Sequence, residues 1–294
     1  MQDMISRRRF ALGACCGALV PAFGLDAALA ADRLADDFAR IERESGGRLG
    51  VAVADPQSKA QWTHRADERF PICSTFKLIA AAAVLARVDA GKEQLARRVR
   101  FEPRDVVVNS PVTKDHAGGA GMTLEELCTA AMTMSDNTAG NLLLASFGGP
   151  AGLTAWLRGL GDAQTRLDRI ETALNEATPG DPRDTTTPAA MLADMQRLLL
   201  DDALSPRSRE QLAAWLLASK TGAKRLRAGL PAQWRVGDKT GGGEHGTAND
   251  IAIAWPPGRA PILIAAYYTG STLGEEARNQ VIADAGRLAV KNLG

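Results

Sequence analysis

Hydrophobic and polar positions along this chain fall into three regimes. Near the start, Leu34, Phe38 and Ile41 recur at helical spacing within residues 32–44, so a single apolar stripe predicts an amphipathic helix. Residues 49–54 and 61–64 read as two strands joined through the Asp55-Pro56 turn. The run over 76–88 is apolar nearly all round and stops before Gly91, the pattern of a fully buried helix. Thr123-Leu124-Glu125-Glu126 forms a capping-box signature that opens another helix through about Thr133. Further helical patterns cover 140–145, 151–157, 188–200 and 208–218. After about Ser219 strand patterns return, over 234–239, 248–255 and 261–269, and an amphipathic helix over 275–293 closes the chain.

Strand patterns at both ends around a helical middle predict an α+β fold: an antiparallel sheet built from both termini and flanked by helices, with an inserted all-helical lobe. Residues 31–67 and 218–294 would form the α/β lobe and 68–217 the helical lobe. Binding sites favour such junctions. The segment 162–187 is long, polar and rich in Pro, Gly and Asp, with weak periodicity. A loop of that length inside a compact domain is usually functional.

Composition narrows the partners. The 294 residues are 45% hydrophobic and 23% charged, with a formal net charge of +1. No basic excess or run beyond the N-terminus favours nucleic acid or an anionic membrane surface, so none is expected as partner. Residues 1–30 read as a twin-arginine-type signal peptide: Ser6-Arg7-Arg8-Arg9-Phe10, a small and apolar run over 11–30, and an A-x-A site at Ala28-Leu29-Ala30. A short membrane anchor is the alternative, but Pro21, Gly24 and Asp26 interrupt the run. Leu12-Gly13-Ala14-Cys15 resembles a lipoprotein site, with too short an apolar stretch before it. The expected protein is therefore exported, periplasmic or secreted, cleaved near Ala30 and without a stable anchor. Of four cysteines Cys73 and Cys128 remain after cleavage, too few for a disulfide framework. His64, His116 and His245 lie far apart and no metal-ligand spacing occurs, so neither metal nor cofactor is expected.

Three short elements carry candidate chemistry. Ser74-Thr75-Phe76-Lys77 sits at the mouth of the buried helix, where three-residue spacing puts both side chains on one face. Burial should lower the Lys77 pKa and help it accept a proton from the serine. Ser135-Asp136-Asn137, read as the end of the next helical pattern, offers a hydroxyl for proton relay and an amide for a substrate carbonyl. Lys239-Thr240-Gly241, followed by Gly242 and Gly243, lies on an expected strand. There a cation and a hydroxyl could bind a carboxylate, and the glycines admit another backbone. Each alone is ambiguous: Ser74 could be a mere cap, Ser135-Asp136-Asn137 a helix stop, and the glycines a bulge or turn.

In order, spacing and context the three together resemble the motif set of class A β-lactamases and penicillin-binding proteins, and the resemblance covers essentially all of the mature chain. Glu171-Thr172-Ala173-Leu174-Asn175, in the long polar segment, is similar to the E-x-x-L-N of class A β-lactamases, which penicillin-binding proteins lack. Its surroundings resemble the family's Ω-loop, closed there by an ion pair at the positions of Arg169 and Asp184. The resemblance implies hydrolysis of the β-lactam amide in penicillins and cephalosporins, conferring resistance. Ser74 would be the nucleophile, with the oxyanion between the backbone N–H groups of Ser74 and Gly242. Ser135, supported by Lys77 and Lys239, would protonate the lactam nitrogen. Asn137 would hold the substrate amide, and Glu171 with Asn175 the hydrolytic water. Lys77 and Glu171 both remain open as the base for acylation. The enzyme would act as a monomer.

Departures from the family pattern carry further expectations. Ala248 stands where many members have an arginine, so Arg225 is expected to bind the substrate carboxylate with Lys239 and Thr240. Asn109 stands in place of an aromatic gatekeeper. The family disulfide, from the position of Cys128 to that of Ala81, should be absent. Cys73 lacks the partner cysteine that a carbapenem-hydrolysing subgroup places at Gly243. An acyl-transferring cell-wall peptidase would share the nucleophile, but Glu171, Leu174 and Asn175 argue against it. A non-catalytic β-lactam sensor would normally be membrane-tethered, whereas this chain reads as exported and cleaved.

Overall fold

The computed structural model describes residues 23–291. Helix α1 (Phe23–Ser45) leads into the strands β1 (Arg48–Asp55) and β2 (Ala60–His64). A helical middle follows: α2 (Phe76–Asp89), α3 (Leu124–Thr133), α4 (Asn137–Ala145), α5 (Gly149–Leu160), α6 (Pro188–Leu199), α7 (Pro206–Leu217) and the short α8 (Leu226–Gly229). Two-residue strands punctuate it: β3 (Phe70–Pro71) pairs with β6 (Thr185–Thr186), and β4 (Arg98–Val99) with β5 (Met122–Thr123). The chain ends with β7 (Arg235–Gly243), β8 (Thr247–Trp255), β9 (Ile262–Thr269) and α9 (Glu275–Lys291). The five long strands form one antiparallel sheet in the order β2-β1-β9-β8-β7. The expected α+β class with a sheet drawn from both ends is thus the observed one.

Period-two patterning explains the layers. Leu49, Val51, Val53, Ile262, Ile264 and Tyr268 face a core shared with the terminal helices through Leu34, Phe38, Ile282 and Ala289. Their neighbours Ala52, Ala54, Ile251, Leu263, Ala265 and Tyr267 face the opposite core, shared with α2 and the helical middle. Helix α2 runs through that second core, and every residue from Phe76 to Leu85 is buried, so a helix apolar on all sides finds partners on all sides.

Several boundaries move. Helix α1 starts upstream of the expected Asp32 and passes through the expected cleavage point at Ala30, while Ser6–Phe10 lie outside the described residues. Leu293, the expected end of the last helix, also lies outside them. Asn137 does not end a helix but begins α4. Helix α3 stops at Thr133, Ser135 takes a left-handed φ of 55°, and Asp136 caps α4 by accepting from the Ala139 N–H at 2.9 Å. A side-chain cap is worth about 1 kcal/mol. Asp136 also receives the N–H groups of Val112 and Thr113, both at 2.9 Å, and so ties a neighbouring loop to this turn. Strand β7 runs on to Gly243 in regular register with β8, so the glycines form neither bulge nor turn.

Candidate active site

The nucleophile turn is built by β3, a single 3-10 turn and α2. Cys73 takes a left-handed φ of 44°, the 3-10 turn spans Cys73–Thr75, and Phe76 continues as helix. This places Ser74 one turn before Lys77, whose Nζ donates to Ser74 Oγ at 2.8 Å. Lys77 also donates to Asn137 Oδ1 at 2.6 Å and to the Ser135 carbonyl at 2.8 Å. Its side chain is fully buried. Burial lowers its pKa, as expected from the sequence, and the carboxylate of Glu171 works against that fall.

Glu171 reaches this cluster from the 162–187 segment. Its Oε1 accepts from Ser74 Oγ at 3.1 Å and lies 3.0 Å from Lys77 Nζ, while Oε2 accepts from Asn175 Nδ2 at 2.5 Å. A buried carboxylate in an apolar setting would be costly, but here an ammonium, a hydroxyl and an amide meet it. Its backbone is pinned from α4, where Asn141 donates to the Glu171 carbonyl at 2.9 Å and accepts its N–H at 2.8 Å. The segment is closed by Arg169, which donates to Asp184 Oδ2 at 2.5 Å. Asp184 Oδ1 accepts the N–H groups of Asp168 and Arg169 at 2.7 and 2.9 Å.

Strand β7 forms the opposite wall. Lys239 Nζ donates to Ser135 Oγ at 2.9 Å and to the Thr240 carbonyl at 2.7 Å. Burial, and next the nearby charge of Lys77, pull its pKa down to about 7. Thr240 shares a hydrogen bond with Thr221 at 2.7 Å. Arg225 donates through Nη1 to the carbonyls of Gly241 and Asn249, at 2.6 and 2.7 Å, and through Nε to Asn279 Oδ1 at 2.7 Å. Among the described residues it makes no ion pair with a carboxylate, and it lines the same cleft as Ser74 and Thr240. That cleft, about 590 Å³, is bordered by Ser74, Asn137, Asn175, Arg225, Thr240 and Gly242, with Asn109 at its outer edge.

All ten residues singled out in the sequence therefore fall in one place. Ser74, Lys77, Ser135, Asn137, Glu171, Asn175 and Lys239 form a continuous hydrogen-bonded network, and Arg225, Thr240 and Gly242 border the cleft beside it. The sequence reading missed four supporting side chains. These are Asn141 behind Glu171, Asn279 behind Arg225, Thr221 behind Thr240, and Asn249, which donates to the Pro71 carbonyl at 2.8 Å and so holds the chain entering the nucleophile turn. Only Asn141 had a signal, being four residues from Asn137 on one helix face. Cys73 and Cys128 are both buried and unpaired.

Arrangements of this kind occur in known proteins. The sequence model of the Beta-lactamase enzyme family matches residues 33–293. The chain is 52% identical to β-lactamase AST-1 of Nocardia asteroides over 257 residues, 87% of this chain and 83% of that one. It is 46% identical to β-lactamase CTX-M-8 of Citrobacter amalonaticus over 288 residues, 98% of each. The solved structure of an ancestral (GNCA) class A β-lactamase superposes with a TM-score of 0.86 at 63% identity, covering 88% of this chain and 99% of that one. With the site geometry, these similarities establish that the chain belongs to the class A β-lactamases and is a hydrolase of that family.

Proposed function

We propose that the chain opens penicillins and cephalosporins through an ester on Ser74, released by a water that Glu171 activates. The observation that carries this reading is the position of Glu171: one carboxylate oxygen 3.1 Å from Ser74 Oγ, the other held by Asn175 at 2.5 Å. Ser74 Oγ attacks the lactam carbonyl and gives up its proton along one of its two contacts, to Lys77 or to Glu171. Charge on the former carbonyl oxygen is met by the backbone N–H groups of Ser74 and Gly242, an effect of about 3 kcal/mol per donor. As the C–N bond breaks, Ser135 hands its proton to the lactam nitrogen and is resupplied from Lys77 or Lys239, 3.5 and 2.9 Å away. Water then loses a proton to Glu171, adds to the ester carbonyl, and expels Ser74 as the free hydroxyl, leaving the penicilloate or cephalosporoate.

Asn137 holds the side-chain amide of the substrate, while Arg225, Lys239 and Thr240 hold its carboxylate. The same reading has the enzyme act as a monomer outside the cytoplasm, delivered by the twin-arginine leader and cut near Ala30. Among the described residues no helix is long and apolar enough to cross a membrane. The same reading divides the chain into an α/β lobe, 31–67 with 218–294, and a helical lobe, 68–217, with cleft-lining residues drawn from both, Ser74 and Asn137 from one and Arg225 and Thr240 from the other.

Nitrocefin separates this reading from an acylated sensor or peptidase. Steady turnover is expected, whereas a single stoichiometric burst would sink the proposal. Glu171→Ala should slow deacylation by at least about 100-fold, the scale of general-base catalysis. Intact-protein mass spectrometry should then show the chain carrying one opened β-lactam.

A further inference from the structure

A second cavity, of about 440 Å³, lies behind the Glu171 segment and shares no lining residue with the cleft. Its floor is the end of the sheet, Gly47 and Arg48 at the start of β1 and Thr269 and Gly270 at the end of β9. Its roof is residues 177–182, and Pro71, Ala177, Pro179 and Pro182 give it mostly apolar walls. The volume is on the scale of small-molecule sites, roughly 300–1,000 Å³.

Charge around the cavity is unbalanced by one. Arg48 is matched by Glu68 at 3.0 Å, and Asp181 is drawn onto Arg183 at 2.6 Å. Arg69, which also lines the cavity, has only neutral acceptors: the Gln164 carbonyl at 2.8 Å, Gln164 Oε1 at 3.2 Å and Thr185 Oγ1 at 3.1 Å. Among the described residues no carboxylate pairs with it. A planar guanidinium that meets only neutral acceptors, beside apolar walls, suits a carboxylate on an apolar body. A multiply charged phosphate would have to shed its hydration against prolines and glycines, with a single surplus cation to meet it.

We infer that this cavity is a second binding site, for small amphipathic monocarboxylates, and that its occupancy acts on deacylation. The inference rests on the proposed function of Glu171 for its second half. The coupling is short. Ala177 in the roof stands two residues after Asn175, which holds Glu171, and the Asn175 carbonyl accepts the Glu244 N–H at 2.9 Å. Filling the space under 177–182 fixes the far side of the same loop.

2-Naphthoate is a suitable probe, with uncharged 2-naphthamide as its control. In backbone amide NMR spectra of the mature enzyme, 2-naphthoate should shift Gly47, Gly180, Thr269 and Gly270, and bind at least 10-fold more tightly than the amide. Arg69→Gln should remove that preference. Equal binding of acid and amide, or shifts confined to Ser74, Thr240 and Gly242, would overturn the site. With nitrocefin, saturating 2-naphthoate should change kcat at least 2-fold and KM by the same factor, leaving kcat/KM within error, because deacylation follows the step that kcat/KM reports. Binding at the four glycine and threonine positions with kcat unmoved would overturn the coupling and leave the role of Glu171 to its own acylation test.

Discussion

Among single residues, Lys77 and Glu171 matter most because each makes the other's burial tolerable. Removing one partner of a buried pair leaves an uncompensated charge, which costs about 3–5 kcal/mol. Glu171 variants should therefore lose stability as well as turnover, and the acyl-enzyme mass is the cleaner readout. Arg225 is a different case. Its guanidinium is already fixed on two carbonyls and Asn279, so a carboxylate arriving beside Thr240 finds a preset cation. Arg225→Ala should raise KM for penicillins about 10-fold or more, with a smaller change in kcat, the signature of lost substrate binding. An unchanged KM in steady-state assays would remove Arg225 from the carboxylate site.

Elements place these residues, and the 162–187 segment shows how. It is anchored at its start by Asp162, which accepts the N–H groups of Gln164 and Thr165 at 2.7 and 3.0 Å, and later by the Arg169–Asp184 pair. Asp194 on α6 faces Asp162. One of its oxygens pairs with Arg197 at 3.1 Å, and the other is buried without a donor. Burial, and next the Asp162 charge, push the Asp194 carboxyl up to about 8, so it keeps its proton and can donate it to Asp162. The sign follows from linkage: an acid whose folded pKa exceeds its unfolded one stabilises below about pH 4, and that contribution is lost as pH rises to about 8. Asp194→Asn carries an amide donor at every pH. Its Tm should vary less than that of the parent between pH 5 and pH 9 and exceed it at pH 9 by several degrees, for a gain on the order of 2 kcal/mol. Parallel melting curves for the two proteins across that range would refute the shared proton.

At the scale of the whole molecule, one sheet carries two cores, and the cleft lies where the second core meets β7. Neither Cys73 nor Cys128 touches solvent, and burial pushes both thiols far above their usual range. In a chain starting at Ala31, Ellman's reagent should find almost no reactive thiol in the native state and two in guanidinium. Fast reaction of either in native buffer would mean that its region opens independently of the rest.

Legibility differed by level. Elements with strong periodicity or strong punctuation were readable: the buried run of α2, the Thr123 capping box, the alternation in β1 and β9. The helix start at Asn137 was misread because Ser135-Asp136-Asn137 suits a stop as well as a cap, and only the left-handed turn at Ser135 decides between them. Short pairs such as β3 with β6 left no trace, since two residues have no period, and β6 lies over a hundred positions from its partner.

By itself, then, the sequence determined the class of fold and singled out the residues that converge on the cleft, because local spacing, capping and alternation are properties of neighbours along the chain. Tertiary structure alone decided that Glu171 would lie against Ser74, that Arg225 would be aimed by Asn279, and that Asp194 would meet Asp162. Those contacts join segments far apart in sequence, and their distances are set by how helices and sheet pack, which no local pattern encodes.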